Sequence, residues 1–157
     1  MSQNNINLAG EFYAMHALFR RGFVAALTLG NTKGVDILLY NPANEKQFKV
    51  EVKTSSTRKN EPNFGGENIS WIMNKKHELM SLENLIYCFV YIPVNNLDQP
   101  RIFFVPSSEV ARYVFWQHDH WLRNVPHKRE VKDTPMRTYR ILKNDFEKWE
   151  NNFELFV

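Results

Sequence analysis

The sequence contains a single cysteine, Cys88, among 157 residues, which excludes an intrachain disulfide and any multi-cysteine zinc site. It also lacks an apolar run of the roughly 20 residues that cross a membrane. Residues 1–7 are polar and uncharged, unlike the basic and apolar parts of a signal peptide. These absences predict a cytoplasmic protein with no membrane partner, and a Cys88 that is a small core residue.

Net charge is also small, because 20 Lys and Arg stand against 17 Asp and Glu, giving +3. With 43% hydrophobic residues and 12 Phe, the composition excludes intrinsic disorder and suits one domain.

The charge is unevenly distributed, since residues 112–140 hold seven basic and only three acidic side chains. Aromatic residues interleave with these charges, as in surfaces that contact nucleic acid. The alternative is that the aromatic residues pack against the core, which we favour for Trp121.

The apolar pattern predicts a mixed α/β fold with a central sheet flanked by helices. Residues 85–92 are almost wholly apolar and predict a strand buried on both faces. The segment Trp71 to Met80 predicts a helix, at least from its candidate N-cap Asn74. The other predicted elements are a helix over residues 8–21, strands over 23–29, 35–40, 48–54, 101–105 and 136–141, and helices from 107 toward 113–116 and over 145–152.

Two carboxylates are predicted to meet on the hairpin of residues 35–54. With the loop centred near Ala43 and Asn44, Asp36 lies opposite Glu51 or its neighbour Val52. Directly opposite residues have Cβ atoms roughly 5 Å apart, so two carboxylates at this distance repel each other. Lys53, on the same face as Glu51, or a bound Mg²⁺ or Mn²⁺ would offset that repulsion.

This arrangement suits hydrolysis of a phosphodiester. A metal ion on Asp36 and Glu51 would activate water, and Lys53 would stabilise developing negative charge. Glu11 lies on the packing side of the first helix and is a third candidate ligand, directly or through water. Taken singly, each part has a structural alternative, because Glu-x-Lys is common on amphipathic strands and a lone helix glutamate extends to solvent.

Together with Glu11, the segments 34–38 (GVDIL) and 50–55 (VEVKTS) resemble the PD-(D/E)XK nuclease superfamily, including Holliday junction resolvase-like proteins. The resemblance implies a restriction-endonuclease-like α-β-β-β-α-β core over residues 8–92 and a C-terminal α/β extension over 93–157, within one domain of residues 1–157. It implies that Asp36 and Glu51 bind the metal, that Lys53 is catalytic and that Glu11 is an accessory carboxylate. Val35 departs from the motif, which has proline there.

We therefore expect a Mg²⁺- or Mn²⁺-dependent endonuclease acting on DNA, with RNA left open and a homodimer considered because double-strand cleavage needs two sites. The alternatives are a catalytically inactive nucleic-acid-binding module and a protein-interaction subunit on the same fold. His118 and His120 offer only a weak metal motif, because their side chains diverge on a helix. The basic residues expected to contact phosphate are Arg58, Lys59, Lys75, Lys76 and Arg123.

Overall fold

The computed structural model describes residues 3–28, 34–95 and 98–157. It shows the mixed α/β fold predicted from the sequence, with a central sheet of parallel and antiparallel strands flanked by helices. Residues 29–33, which complete the predicted first strand and its turn, lie outside the described residues. The helices are α1 (Gln3–Arg20), α2 (Ser107–Asn124) and α3 (Phe146–Trp149). The strands are β1 (Val24–Leu27), β2 (Ile37–Asn41), β3 (Lys46–Ser55), β4 (Arg58–Glu61), β5 (Gly66–Asn74), β6 (Leu85–Tyr91), β7 (Arg101–Pro106) and β8 (Met136–Leu142).

Two sheets are present in the described part of the chain. Five strands form the larger sheet in the order β1-β2-β3-β6-β7, in which only β3 and β6 run parallel. The smaller sheet has the order β4-β5-β8 and is antiparallel. β6 is buried along Leu85 to Val90, as expected for a central strand covered on both faces.

The larger sheet separates two hydrophobic cores. On one face, Val50 and Val52 of β3 pack with Ala14 and Leu18 of α1. On the other face, β6 packs against the smaller sheet and α2 through Phe89, Trp71 and Val110, among others. Cys88 belongs to the first core and is fully buried, so its predicted structural role is confirmed. None of the helices in the described ranges is long and apolar enough to cross a bilayer.

The register predicted for the second hairpin is confirmed. Ile37 pairs with Val50 and Asn41 pairs with Lys46, which centres the loop between Ala43 and Asn44. The ladder continues one residue beyond β2, because the Asp36 amide donates to the Val50 carbonyl at 2.9 Å. The predicted juxtaposition of Asp36 with Glu51 follows from this register.

The helix predicted over residues 71–80 is largely wrong. Trp71 to Asn74 belong to β5, and only Lys75–Glu78 forms a helical turn, of the 3-10 type. Asn74 does cap that turn, accepting a hydrogen bond from the Lys76 amide. The chain between β3 and β6 therefore consists of β4, β5 and 3-10 turns.

Gly10 lets α1 approach β3 closely. A Cβ at this position would lie 1.9 Å from Thr54 Oγ1 and 2.9 Å from Thr54 Cβ, so any larger residue forces the helix and strand apart. The contact sets how closely α1 approaches the sheet beside Glu11, the next residue, which lines one cleft with Thr54 and Ser55 at the end of β3.

We expect Gly10→Ala to lower the free energy of unfolding by about 1–3 kcal/mol, because overpacking at this contact outweighs the gain in helix propensity. Urea denaturation measures the change. His16→Ala is the control, because His16 is exposed on the same helix. An unchanged urea midpoint for Gly10→Ala would contradict the close approach of α1 to β3.

Candidate active site

Asp36 is fixed by the backbone of both neighbouring strands. Its carbonyl accepts from the Thr28 amide at 2.9 Å, and its side-chain Oδ2 accepts from the Val52 amide at 2.6 Å. The second of these bonds turns the carboxylate toward β3, beside Glu51. The hairpin register and this side-chain contact together define the position of Asp36.

Glu51 is a buried carboxylate with two nearby donors, the ammonium of Lys53 and the imidazole of His77. The residue is only 2% exposed, on the face of β3 opposite Val50 and Val52. Its Oε1 lies 2.7 Å from Lys53 Nζ and 3.2 Å from His77 Nε2. A carboxylate buried to this extent needs such partners, because an unpaired buried charge is strongly unfavourable.

The partners of Glu51 keep it ionised. Burial by itself would raise the pKa of this carboxyl, but the hydrogen bond from His77 and the charge and hydrogen bond of Lys53 bring the pKa down to about 2. Glu51 is therefore negatively charged throughout the neutral range. Burial and the charge of Glu51 raise the pKa of Tyr87, its neighbour on β6, which stays protonated.

His77 is the site residue that the sequence interpretation missed. Its Nδ1 lies 2.9 Å from both the backbone N–H and the carbonyl oxygen of Asn74, and its Nε2 lies 3.2 Å from Glu51 Oε1. An ionised carboxylate can only accept, so Nε2 carries the proton given to Glu51. The ring is buried and packs edge-on against Tyr87 at 5.9 Å between centroids. The available signal was the spacing of Asn74 and His77, which is that of a capping box.

Lys53 and Glu11 complete the predicted set. Lys53 is partly exposed, and its charge lowers the pKa of Asp36 against the larger effect of burial, which raises it. Burial and the charge of Asp36 raise the pKa of Glu11, so the two acids interact across the space between α1 and the hairpin. The structure thus brings Glu11, Asp36, Glu51 and Lys53 into one region.

This region opens into a cleft of about 860 Å³ between α1, the end of β3 and the smaller sheet. Glu11, Asp36 and Lys53 line it, whereas Glu51 lies beneath its floor. Hydroxyl side chains from Thr54 to Thr57, Ser70 and Thr138 add polar groups to the remaining wall, to which Ile72 and Met136 add apolar ones.

The donor set fits a hard divalent cation. Glu51 Oε2 is buried without a hydrogen-bond partner in the described structure, as is the hydroxyl of its neighbour Tyr87. A Cβ on Gly34 would lie 3.6 Å from Oε2 and 3.1 Å from Met80 Cε. Burial is the main reason that the pKa values of Asp36 and Glu11 are raised, and the charge of a neighbouring carboxylate raises each further. Within the described residues, no three His, Cys, Asp or Glu side chains form a complete metal cluster. Two carboxylates and several waters are the ligation that Mg²⁺ commonly has.

The basic residues predicted to contact phosphate occupy different places. Lys59 lines the cleft. The charge of Lys76 lowers the pKa of Asp36, and the charge of Lys75 lowers the pKa of Asp133. The two adjacent lysines therefore lie near different carboxylates. Arg58 pairs with Glu67, and Arg123 pairs with Asp119 on α2 at 2.7 Å. Arg123 does not line the cleft, and its role in nucleic-acid binding stays a prediction.

The weak histidine motif on α2 does not converge. His118 Nε2 contacts Asp133 at 2.7 Å, whereas His120 Nε2 contacts the Asn63 carbonyl at 3.0 Å. The two rings therefore bind different segments, His118 the one before β8 and His120 the one before β5. Both contacts attach α2 to the rest of the structure.

No family model and no curated protein matches this sequence. Among solved structures, the chain is similar to the bacterial homing endonuclease I-Ssp6803I, with a TM-score of 0.58 and 10% identity. The similarity covers 99% of this chain and 91% of that one. It shows the fold. At this identity the likeness assigns no residue a role, so Asp36, Glu51, Lys53 and Glu11 remain candidates on their own geometry.

Proposed function

We propose that the protein is a metal-dependent endonuclease of the PD-(D/E)XK type that hydrolyses phosphodiester bonds of DNA. The observation that carries the proposal is the convergence of Asp36, the buried Glu51 and Lys53 at one end of a hairpin, beneath an open polar cleft. The likeness to a homing endonuclease supports it, because an endonuclease is built on the same fold.

Mg²⁺ or Mn²⁺ is the proposed cofactor. Asp36 and Glu51 would hold the ion, through the side-chain oxygens that the backbone and His77 leave available. When bound, such an ion lowers the pKa of a coordinated water and polarises a phosphoryl oxygen. Glu11 would act as an accessory carboxylate at the edge of the same region.

The chain's own groups supply charge and orientation. Lys53 Nζ reaches the cleft with its ammonium anchored by Glu51 Oε1, so its remaining protons can donate to a phosphate oxygen or to the attacking water. The Val52 amide fixes the orientation of Asp36, and His77 fixes that of Glu51. Preorganised groups of this kind lower the barrier because they need not reorient during the reaction.

The test is cleavage of supercoiled plasmid and of linear duplex DNA by the purified protein in Mg²⁺, Mn²⁺ or chelator. We expect nicked and linear products with either metal, and intact DNA with chelator. An Asp36→Asn sample, purified in parallel, controls for contaminating nucleases. DNA binding without metal-dependent cleavage would instead support the inactive binding module, and the absence of both would favour the protein-interaction subunit.

A further inference from the structure

The smaller sheet narrows to two strands beside the active-site cleft. β4 pairs only with residues 66–69 of β5, whereas β5 continues to Asn74 in register with β8. Residues 71–74 and 136–139 therefore form a two-stranded antiparallel segment, which we name the β5–β8 ribbon. Its width is that of two strands, about 5 Å between backbones.

The two faces of the β5–β8 ribbon differ sharply. Trp71, Met73 and Tyr139 are buried in the core beneath it. On the outer face, Ile72 is 75% exposed and Met136 is 61% exposed. These two side chains are diagonal neighbours, because Ile72 pairs with Thr138 and Met136 pairs with Asn74. The two side chains form a small exposed apolar patch on the outer face of the ribbon.

The outer face is continuous with the proposed active site. Ile72, Met136 and Thr138 line the same cleft as Asp36 and Lys53. A nucleic acid that spans the cleft with a phosphodiester at Lys53 would therefore also contact the ribbon. The surface needs no separate partner, because the substrate in the cleft already reaches it.

The charges around the ribbon suit a polyanion. Lys75 and Lys76 directly follow β5 and are exposed, and Lys132 is exposed shortly before β8 begins. Three nearby acids are already paired: Glu78 with Arg137, Glu61 with Arg140, and Asp133 with His118. The three lysines thus lie at the end of the ribbon where β5 ends and β8 begins, next to its apolar outer face. There they could contact phosphates that flank the bases read by that face.

We propose that the β5–β8 ribbon enters the major groove of B-form duplex DNA bound in the cleft, with Ile72 and Met136 contacting base edges and the lysines contacting phosphates. This inference rests on the proposed endonuclease function and adds the form of its substrate. The major groove accepts a two-stranded ribbon, and apolar side chains there contact the thymine methyl group.

Duplex DNA fits this surface better than the other nucleic acids. The deep, narrow major groove of duplex RNA does not admit such a ribbon. Single strands are bound mainly by stacking on aromatic side chains. The aromatic residues of the ribbon, Trp71 and Tyr139, face the core and are not available for stacking.

The test is in vitro selection of bound sequences from a randomised duplex pool, carried out in an Asp36→Asn background so that no DNA is cut. We expect enrichment of A·T pairs at discrete positions. Ile72→Ala combined with Met136→Ala should weaken binding to the selected duplex by roughly 10-fold and abolish that enrichment. Phe115→Ala is the matched control, because Phe115 is an exposed apolar residue on α2, away from the cleft lining.

Two further measurements distinguish contacts to phosphates, which position the DNA, from contacts to base edges, which recognise its sequence. Lys75→Ala and Lys76→Ala should each reduce affinity for all sequences alike and lower the salt dependence by about one phosphate contact. Methylation of guanine N7 by dimethyl sulfate should be blocked in the complex, because N7 lies in the major groove. Protection confined to the minor groove, tighter binding of duplex RNA or of single strands, or selection unchanged by the double substitution would each overturn the ribbon inference.

The two proposals fail differently. Metal-dependent cleavage by the unmodified protein, together with unchanged selection in the double variant, overturns the ribbon inference and leaves the endonuclease in place. Absence of cleavage, together with A·T enrichment that depends on Ile72 and Met136, overturns the endonuclease and supports the ribbon as a duplex-binding surface.

Discussion

Replacing Asp36 with Asn should slow metal-dependent DNA cleavage by on the order of 1000-fold. Charge stabilisation by a bound cation supplies several kcal/mol to hydrolysis, and each 1.36 kcal/mol is a factor of ten in rate. Asn lacks the negative charge that holds the cation but keeps a side-chain oxygen that can accept from the Val52 amide. The hairpin is therefore retained while its proposed metal ligand is lost.

The same substitution should leave the free energy of unfolding unchanged or slightly increase it in metal-free buffer. Burial raises the pKa of Asp36 and the charge of Glu51 raises it further, so the ionised carboxylate is unfavourable where it lies. Asn removes that charge. A loss of activity without a loss of stability is what a functional site predicts, because the native residue is retained at a cost to folding.

Cleavage rates on plasmid DNA and urea denaturation in chelator measure the two effects, and calorimetric titration with Mn²⁺ measures the loss of metal binding. Asp98→Asn is the matched control, because Asp98 is exposed in the loop before β7. Cleavage at the unmodified rate in Asp36→Asn would place the chemistry elsewhere. A large drop in stability would instead make Asp36 a structural residue.

Local chain geometry explains why the sequence predicted that Asp36, Glu51 and Lys53 lie together in the candidate site. A short turn sets the register of β2 and β3, and alternation then places Asp36 beside Glu51 and Lys53 two residues along the same face. Glu11 was visible as a carboxylate on the packing side of α1. All of these inferences need only contacts between neighbouring elements.

Contacts between residues distant in sequence explain why strand β5 and the contact of His77 with Glu51 were not predicted. β5 is stabilised by β8, which follows it only after β6, β7 and α2, so nothing local distinguished a strand from a helix at Trp71 to Asn74. The alternation of buried Trp71 and Met73 with exposed Ile72 was present but too short to decide. His77 reaches Glu51 only because the chain crosses over between the parallel strands β3 and β6.

Replacing His77 with Ala should lower the free energy of unfolding by about 2 kcal/mol at pH 7 in metal-free buffer. His77 donates to a buried carboxylate, and a hydrogen bond to a charged group contributes about 1.5–3 kcal/mol. Lys53 remains on Glu51 Oε1, so the upper end of that range is not expected. His77→Gln, which keeps an N–H donor, should recover part of the loss.

The pH dependence identifies the charge as the cause. The pKa of Glu51 is about 2 in the folded protein against an ordinary 4.5, so its ionised form stabilises the fold above pH 4.5. That contribution is lost as the pH falls from 4.5 toward 2. Without His77, burial raises the pKa of Glu51 again, so the variant has less of this contribution to lose. The difference between the two proteins should therefore shrink over the same interval.

Chemical denaturation of the wild type, His77→Ala, Glu51→Gln and the double variant at pH 7 and pH 3 completes the test. At pH 7 the cost of His77→Ala should be much smaller in the Glu51→Gln background, because the buried charge that His77 serves is gone. His16→Ala, on the exposed face of α1, should change little at either pH. An equal loss for His77→Ala at both pH values and in both backgrounds would mean that His77 acts only by packing against Tyr87. The proposed active site would then lack the donor that holds Glu51 in its ionised form, and Lys53 would have to do so alone.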